Sequence, residues 1–238
     1  MSDTSLHTHP APDGAASTTD RATCPPGQRV TRSLLGYGIV AGPFYVVVSI
    51  TQALLREGFD LRRHEWSLLA TGGPGWIQIT NFILTGAMVV AAALGLSRAW
   101  TTGPGHRVAP ILIAIFGISL VGAGIFTADP MLGFPVGTPD GPPAVVSLHG
   151  ILHLVSGGVG FACLIAAGLV IGRRFRRQGQ PGWAWFSRIT GVLFLAGFGG
   201  VVSGATSPGV NLAFTAAVVL AWTWLSALSL HVYRDQEG

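Results

Sequence analysis

Lysine is absent from the sequence, and charged residues of every kind are few. The 238 residues include 14 basic ones, all of them arginine, and charged residues make up 10% of the chain. Without lysine there is no retinal or pyridoxal Schiff base, because both are formed with a lysine amine. A soluble domain carries roughly a quarter charged residues. The deficit therefore indicates a protein whose surface largely faces lipid.

Cysteine is almost as scarce, since only Cys24 and Cys163 occur. This count excludes a structural zinc site of the multi-cysteine kind. We expect Cys24 in a polar tail and Cys163 inside a membrane span, so we predict no disulfide between them. The formal net charge of +4 comes from arginines beside apolar segments. That pattern is typical of membrane topology, and we expect no nucleic-acid partner.

Six apolar segments predict an all-α, polytopic membrane protein with six transmembrane helices in a single bundle. Each is close to the roughly 20 residues that span a hydrocarbon core, and peptide groups within lipid must be satisfied in helices. We expect a disordered cytoplasmic tail at 1–32, the transmembrane domain at 33–232 and a short cytoplasmic tail at 233–238. The predicted spans are 33–55, 76–97, 108–127, 147–172, 184–204 and 210–231.

The arginine positions predict the orientation of the protein. If the N-terminus lies in the cytoplasm, eleven arginines fall on the cytoplasmic side, and only Arg56, Arg62 and Arg63 fall outside. Lysine and arginine are enriched in cytoplasmic loops. The bias therefore predicts that both termini face the cytoplasm.

Polar side chains gather at the predicted outer side, in two loops and at the start of the fourth span. Residues four apart share a helix face, so His149 and His153 are expected to point at one metal ion or ligand. The second span carries Gln78, Asn81 and Thr85 on a similar stripe, which suggests a shared cavity open to the outside. The two outer loops add His64, Glu65, Ser67 and Asp129.

This cluster has three interpretations. In the first, the histidines hydrogen-bond Gln78, Asn81 and loop carbonyls and only tie the outer end together. In the second, they bind Zn²⁺ with His64, Asp129 or Glu65 as further ligands, since zinc prefers imidazole and carboxylate in tetrahedral geometry. In the third, a metal-free pocket binds a headgroup or small ligand. Trp76 is either a contact of that ligand or an interfacial anchor.

A zinc site would point to hydrolysis of a lipid or another amphiphile. The metal-bound water would be the nucleophile, Glu65 or a free carboxylate the general base, and Ser67 a donor to the developing oxyanion. Ser67 has the alternative role of capping a helix, and Asp129, which precedes Pro130, that of forming a turn. No charged residue occurs in the middle of a predicted span, which weighs against an ion-coupled transporter.

Three motifs carry a resemblance to a known family. They are WSLLATGGPGWIQITNF at 66–82, FTADPMLGFP at 126–135 and LHGILH at 148–153. Together with six spans, they resemble the bacterial and archaeal membrane family known as domain of unknown function 998. The resemblance implies a multi-pass protein of the prokaryotic plasma membrane and assigns no activity.

A more distant similarity, in residue types alone, exists to the ceramidase and progestin-receptor-type membrane hydrolases. Those proteins combine a serine, an aspartate and three histidines around zinc. They have seven spans with an HxxxH pair in the last, whereas here that pair lies in the fourth of six predicted spans. The similarity implies a test for bound metal and nothing more.

We therefore expect an integral membrane protein with a polar His/Asp-containing pocket at the extracytoplasmic face. It is either a metal-dependent hydrolase or a non-enzymatic lipid-binding, ligand-binding or accessory protein, and a small-solute transporter is the third alternative. Membrane lipids and a small amphiphilic ligand are the expected partners. Zn²⁺ is the candidate cofactor, and the sequence leaves the oligomeric state open.

Overall fold

The computed structural model describes residues 26–204 and 207–236. These residues form six long α-helices and one short 3-10 helix, and each long helix is long and apolar enough to cross a membrane. The predicted all-α, six-span fold is confirmed. Of the predicted tails at 1–32 and 233–238, residues 1–25, with Cys24, and 237–238 lie outside the described residues, whereas 26–32 belong to the first helix. The helices are α1 Pro26–Leu55, α2 Gly75–Ala99, α3 Val108–Ile125, α4 Leu148–Arg177, α5 Pro181–Val202 and α6 Pro208–Arg234, and the 3-10 helix is Trp66–Ala70.

Several helices extend beyond the predicted spans. The first helix begins at Pro26, seven residues before the predicted start, because proline is well suited to the first helical position. The fourth continues to Arg177, past its apolar stretch, because arginine is a good helix former. Arg174 also holds this extension, since its guanidinium lies 4.5 Å above the ring of Trp100 and donates to the carbonyl of Thr102 at 2.8 Å.

The six helices form a closed ring in chain order. Each packs against its neighbours in the sequence, and α6 returns to pack against α1. Glycines allow close contacts, as expected for membrane helices, which gain little from burying one apolar surface on another. A Cβ at Gly86 would lie only 2.6 Å from the carbonyl oxygen of Gly117 on α3, and one at Gly42 only 2.7 Å from that of Trp222 on α6.

The two ends of the ring differ in chemistry. One end, the arginine end, carries the N-terminus of α1, the 100–107 connection and the arginine-rich end of α4. The other, the loop end, carries two long connections at 56–74 and 126–147, which together form the loop cap. The sequence assigns the loop end to the outside, and that assignment stays a prediction.

The loop cap is organised around Phe134, whose side chain is fully buried. The ring of Phe59 meets it edge-on at 5.1 Å, the imidazole of His64 lies 5.4 Å away, and the guanidinium of Arg56 lies 4.7 Å above it. Asn211 of α6 donates to two carbonyls of the 56–74 loop at 2.8 and 3.0 Å. The cap is therefore a packed element that is attached to the helix ring.

Candidate functional site

A cavity of about 630 Å³ lies inside the helix ring at the loop end. We call it the chamber. It is bounded by the loop-end halves of α3 to α6, by single residues of α1 and α2, and by the loop cap. Small-molecule sites in proteins typically measure about 300–1,000 Å³, so the chamber has the size of a ligand site.

The chamber walls are mainly aromatic, aliphatic and glycine residues. Phe161 of α4 meets Phe194 and Phe198 of α5 at ring distances of 5.0 Å, and it lies 5.9 Å from Phe214 of α6. All four line the chamber. Such a surface offers dispersion contacts to a hydrocarbon chain.

Polar side chains line the chamber mostly near the cap. Glu65 and Ser67 reach it from the 56–74 loop, and His153 reaches it from the second turn of α4. Trp66 also lines it, and its buried indole N–H has no hydrogen-bond partner among the described residues. The chamber thus has a polar region, where the 56–74 loop and His153 reach it, and an aromatic, apolar region formed by the phenylalanines of α4 to α6.

The hydrogen bonds of His153 define which of its nitrogens can meet a ligand. Its Nδ1 lies 2.8 Å from the carbonyl oxygen of Phe126 and 3.2 Å from that of Ala123, both at the end of α3. Carbonyls only accept, so Nδ1 carries the proton, and in a neutral imidazole Nε2 is then an acceptor. Within the described part of the chain, Nε2 makes no hydrogen bond. It is therefore the nitrogen that can accept one from a ligand.

Burial affects the acidity of Glu65. Desolvation raises the pKa of its carboxyl above the ordinary range, and this outweighs the opposing effects of a backbone hydrogen bond and of His64. A carboxyl with a raised pKa keeps its proton to higher pH. Protonated Glu65 can then donate a hydrogen bond to a ligand as well as accept one.

His64, a predicted metal ligand, is committed to the loop cap. Its side chain is 2% exposed. The backbone N–H of Asp60 donates to Nδ1 at 2.9 Å, and Nε2 donates to the carbonyl of Leu132 at 3.0 Å. With both nitrogens occupied, His64 connects the two loops and has no lone pair left for a metal.

Asp129 and His149 also lie apart from a common centre. The Oδ2 atom of Asp129 accepts the backbone N–H of Ser147 at 2.9 Å, and the Ser147 hydroxyl accepts the N–H of Gly150 at 3.0 Å. The carboxylate therefore lies at the positive end of α4, where negative charge is favourable. His149 is exposed, and its imidazole packs edge-on against the ring of Phe126 at 5.7 Å.

The predicted zinc ligands therefore do not fit a zinc centre in this arrangement. Among residues 26–204 and 207–236, no group of three or more His, Cys, Asp or Glu side chains could hold a metal ion. His64, Asp129 and His149 are used in the cap, at a helix terminus and at the surface. Of the predicted ligands, His153 and Glu65 line the chamber.

The predicted stripe on α2 faces α1 instead of an open cavity. Gln78, Asn81 and Thr85 are at most 1% exposed. The amide Nδ2 of Asn81 donates to the hydroxyl of Ser49 at 3.1 Å, and the amide of Gln52 donates to Oε1 of Gln78 at 2.8 Å. Inside a bilayer such bonds attach one helix to the other. The expectation of a shared polar cavity built from this stripe is therefore corrected.

Two other predicted site residues also differ from expectation. Trp76, proposed as a ligand contact, is 65% exposed and does not line the chamber, which agrees with its alternative role as an interfacial anchor. Ser67 lies within the 3-10 helix and so does not precede a helix as a cap. Its position in the chamber wall leaves it available to a ligand.

Most of the chamber wall was not predicted from the sequence. The missed residues include Tyr45, Phe161, Phe194, Phe214 and Trp222. Aromatic residues in an apolar helix look the same whether they face lipid, a neighbouring helix or a void. A usable signal was the run at 157–160, where three glycines in four positions remove side chains from one stretch of α4.

The chain matches a known family. Residues 39–231 match the family described as "Protein of unknown function (DUF998)". The chain belongs to this family. The match extends from α1 to α6, so it includes the loop cap and every residue of the chamber. No curated protein and no solved structure matches this DUF998 protein.

Proposed function

We propose that this DUF998 protein is a non-enzymatic binding protein for a membrane-dissolved amphiphile with a single apolar chain. The chamber carries the proposal, because one region of its wall is apolar and aromatic and another region offers hydrogen-bonding groups. An amphiphile has the same division. Its chain would lie among the phenylalanines, and its head would lie under the loop cap.

The charge of the lining favours a head without a phosphate. Among the described residues of the wall, Glu65 is the one acidic residue, and no arginine contributes. Burying an anion without a partner is costly. A hydroxyl head, by contrast, can donate to Nε2 of His153 and exchange hydrogen bonds with Glu65 and Ser67.

Binding is better supported than hydrolysis. In the described part of the chain, no hydrogen bond joins Glu65, Ser67 and His153, and the predicted zinc ligands are dispersed. A nucleophile and its base are expected within hydrogen-bonding reach, although this distance is often longer without substrate. The walls give affinity for a chain without any chemical step.

We also propose a cellular location. The six apolar helices form a multi-pass membrane protein. We place it in the plasma membrane of a prokaryotic cell with the loop end outside, on the arginine distribution. The head of the ligand would then lie near the extracytoplasmic surface.

Native mass spectrometry of the purified full chain tests binding with hexadecanol as the probe and hexadecyl phosphate as its charged counterpart. Thr215 lines the chamber, whereas Thr223 is exposed on the same helix outside it. Thr215→Trp should weaken hexadecanol binding about tenfold, which corresponds to about 1.4 kcal/mol. Thr223→Trp should bind as the wild type does. Equal binding by both variants, or no binding by the wild type, would contradict the proposal.

A further inference from the structure

The seams between the helices differ at the loop end. Two of those beside the chamber are tightly packed there. A Cβ at Gly160 would lie 2.6 Å from the Cβ of Ser119, so α4 is close to α3. A Cβ at Gly197 would lie 3.1 Å from the Cα of Phe214, so α5 is close to α6. These seams leave no space between their backbones for a chain.

The seam between α4 and α5 changes along its length. Toward the arginine end, a Cβ at Gly168 would lie 2.8 Å from the carbonyl oxygen of Ser187, so the backbones touch. Nearer the loop end, the aromatic side chains around Phe161 separate the two helices. Beyond them, a Cβ at Gly157 or Gly158 would meet no described atom within 4 Å. The two helices therefore diverge toward the loop end.

The chamber reaches the outer surface of the bundle at this divergence. Leu154 of α4 and Val202 of α5 both belong to its wall, yet they are 68% and 67% exposed. Both sit on helices that are long and apolar enough to cross a membrane. Their exposed surfaces would thus contact acyl chains, and the loop cap covers the chamber from above.

We infer that the gap between α4 and α5 is a lateral passage through which a neutral single-chain amphiphile moves from the bilayer into the chamber. The inference rests on the proposed function, and it adds the route and the source of the ligand. A chain sliding between Leu154 and Val202 stays in apolar surroundings throughout. A phosphate head following it would be desolvated with no arginine among the described wall residues to receive it.

The edges and glycines of the lateral passage also indicate which ligand it admits. The passage has apolar edges and glycines at its centre, which suits a slender chain. Residues of the loop cap line the chamber, whereas a lipid-dissolved ligand already lies beside Leu154 and Val202. The probe should therefore be presented in a membrane.

Loading kinetics test the passage. The full chain, in phosphatidylcholine vesicles, is mixed with donor vesicles that contain a diazirine-bearing hexadecanol, and the photolabelled fraction is followed by intact mass. The double substitution Leu154→Trp/Val202→Trp places a larger side chain at each edge and so narrows the gap. Leu169→Trp/Val192→Trp makes the same kind of change at exposed positions of the same helices outside the chamber. We expect the edge variant to load about tenfold more slowly, a barrier about 1.4 kcal/mol higher, and the control to load at the wild-type rate.

The outcomes separate the two proposals. If the wild type loads and the edge variant loads equally fast, the lateral passage is wrong while binding in the chamber stands, whatever the final occupancy. If the wild type takes up no probe, the proposed function fails and the passage fails with it. If the edge variant loads slowly while the wild type and the control variant load fast, both the lateral passage and binding in the chamber are supported.

Discussion

Replacing His64 distinguishes a residue that connects the two loops of the loop cap from a metal ligand. Its imidazole is 2% exposed, receives one hydrogen bond from Asp60, donates one to Leu132, and packs between the rings of Phe59 and Phe134 at 5.3 and 5.4 Å. We therefore expect His64→Ala to destabilise the cap even in protein that has never met a transition metal.

The size of the effect follows from these contacts. Each lost hydrogen bond costs about 1 kcal/mol, and the Leu132 carbonyl, left without its donor, adds roughly another 1 kcal/mol. The void left by the imidazole in a packed site adds about 1 kcal/mol more. Together His64→Ala should cost about 4 kcal/mol. His149→Ala is the matched control, because this predicted ligand is exposed, and it should cost less than about 0.5 kcal/mol.

Thermal unfolding in detergent, with and without a chelator, provides the measurement, and limited proteolysis of the 126–147 loop reports the cap directly. The reasoning predicts a large loss for His64→Ala, almost none for His149→Ala and no effect of the chelator. Equal losses for the two variants, together with a chelator-sensitive wild type, would refute it and restore the zinc hypothesis.

Three further predictions address the helix contacts and the polar region of the chamber. Gly117→Leu should cost about 3 kcal/mol or more of stability through overpacking, because its Cβ would lie 2.8 Å from the carbonyl oxygen of Gly86. Asn81→Ala should cost about 1 kcal/mol, since its amide donates two hydrogen bonds to α1, to the Tyr45 carbonyl and the Ser49 hydroxyl, and each contributes about 0.6 kcal/mol in a membrane. Glu65→Gln should flatten the pH dependence of stability. Burial raises the pKa of Glu65, so the folded protein holds this proton more tightly than the unfolded chain, and wild-type stability falls as pH rises from about 4.3 through the raised value.

Each of these predictions has a control variant or a result that would contradict it. Gly36→Leu places the same side chain where no described atom lies within 4 Å, and it should unfold at the wild-type temperature. For Asn81, a loss of stability below about 0.5 kcal/mol would show that the polar cluster does not hold α1 to α2. For Glu65, the unfolding temperatures of Glu65→Gln and of the wild type are compared between about pH 4 and pH 7. The two should agree only at the acidic end of this range. Parallel curves would count against the proposed burial of the carboxyl.

The spans were readable from the sequence because each is an uninterrupted apolar stretch of membrane length. Their ends were less so. The extension of α4 to Arg177 depends partly on the contact of Arg174 with Trp100, about 70 positions away, and no local pattern contains that contact. The start of α1 at Pro26 has a local signal, the proline itself. Hydropathy does not reveal this start, because the residues that follow the proline are mostly polar.

The site was less predictable because helix faces are assigned by their neighbours. The α2 stripe was recognised as polar, but its partners Ser49 and Gln52 on α1 decide that it is a helix contact. His149 and His153 do share the spacing of one helix face. At the first turn of α4, however, the partner of His149 is Phe126, and only His153 lies deep enough to line the chamber. A void leaves no residue of its own in a sequence.

An experimental structure of the full chain, extracted directly from its membrane into lipid nanodiscs, tests the central claim most directly. We predict elongated density in the chamber, with its polar end within hydrogen-bonding distance of Glu65, Ser67 or Nε2 of His153. A chamber that holds only water, or one closed by collapse of α4 onto α5, would contradict the proposal that this DUF998 protein binds an amphiphile there.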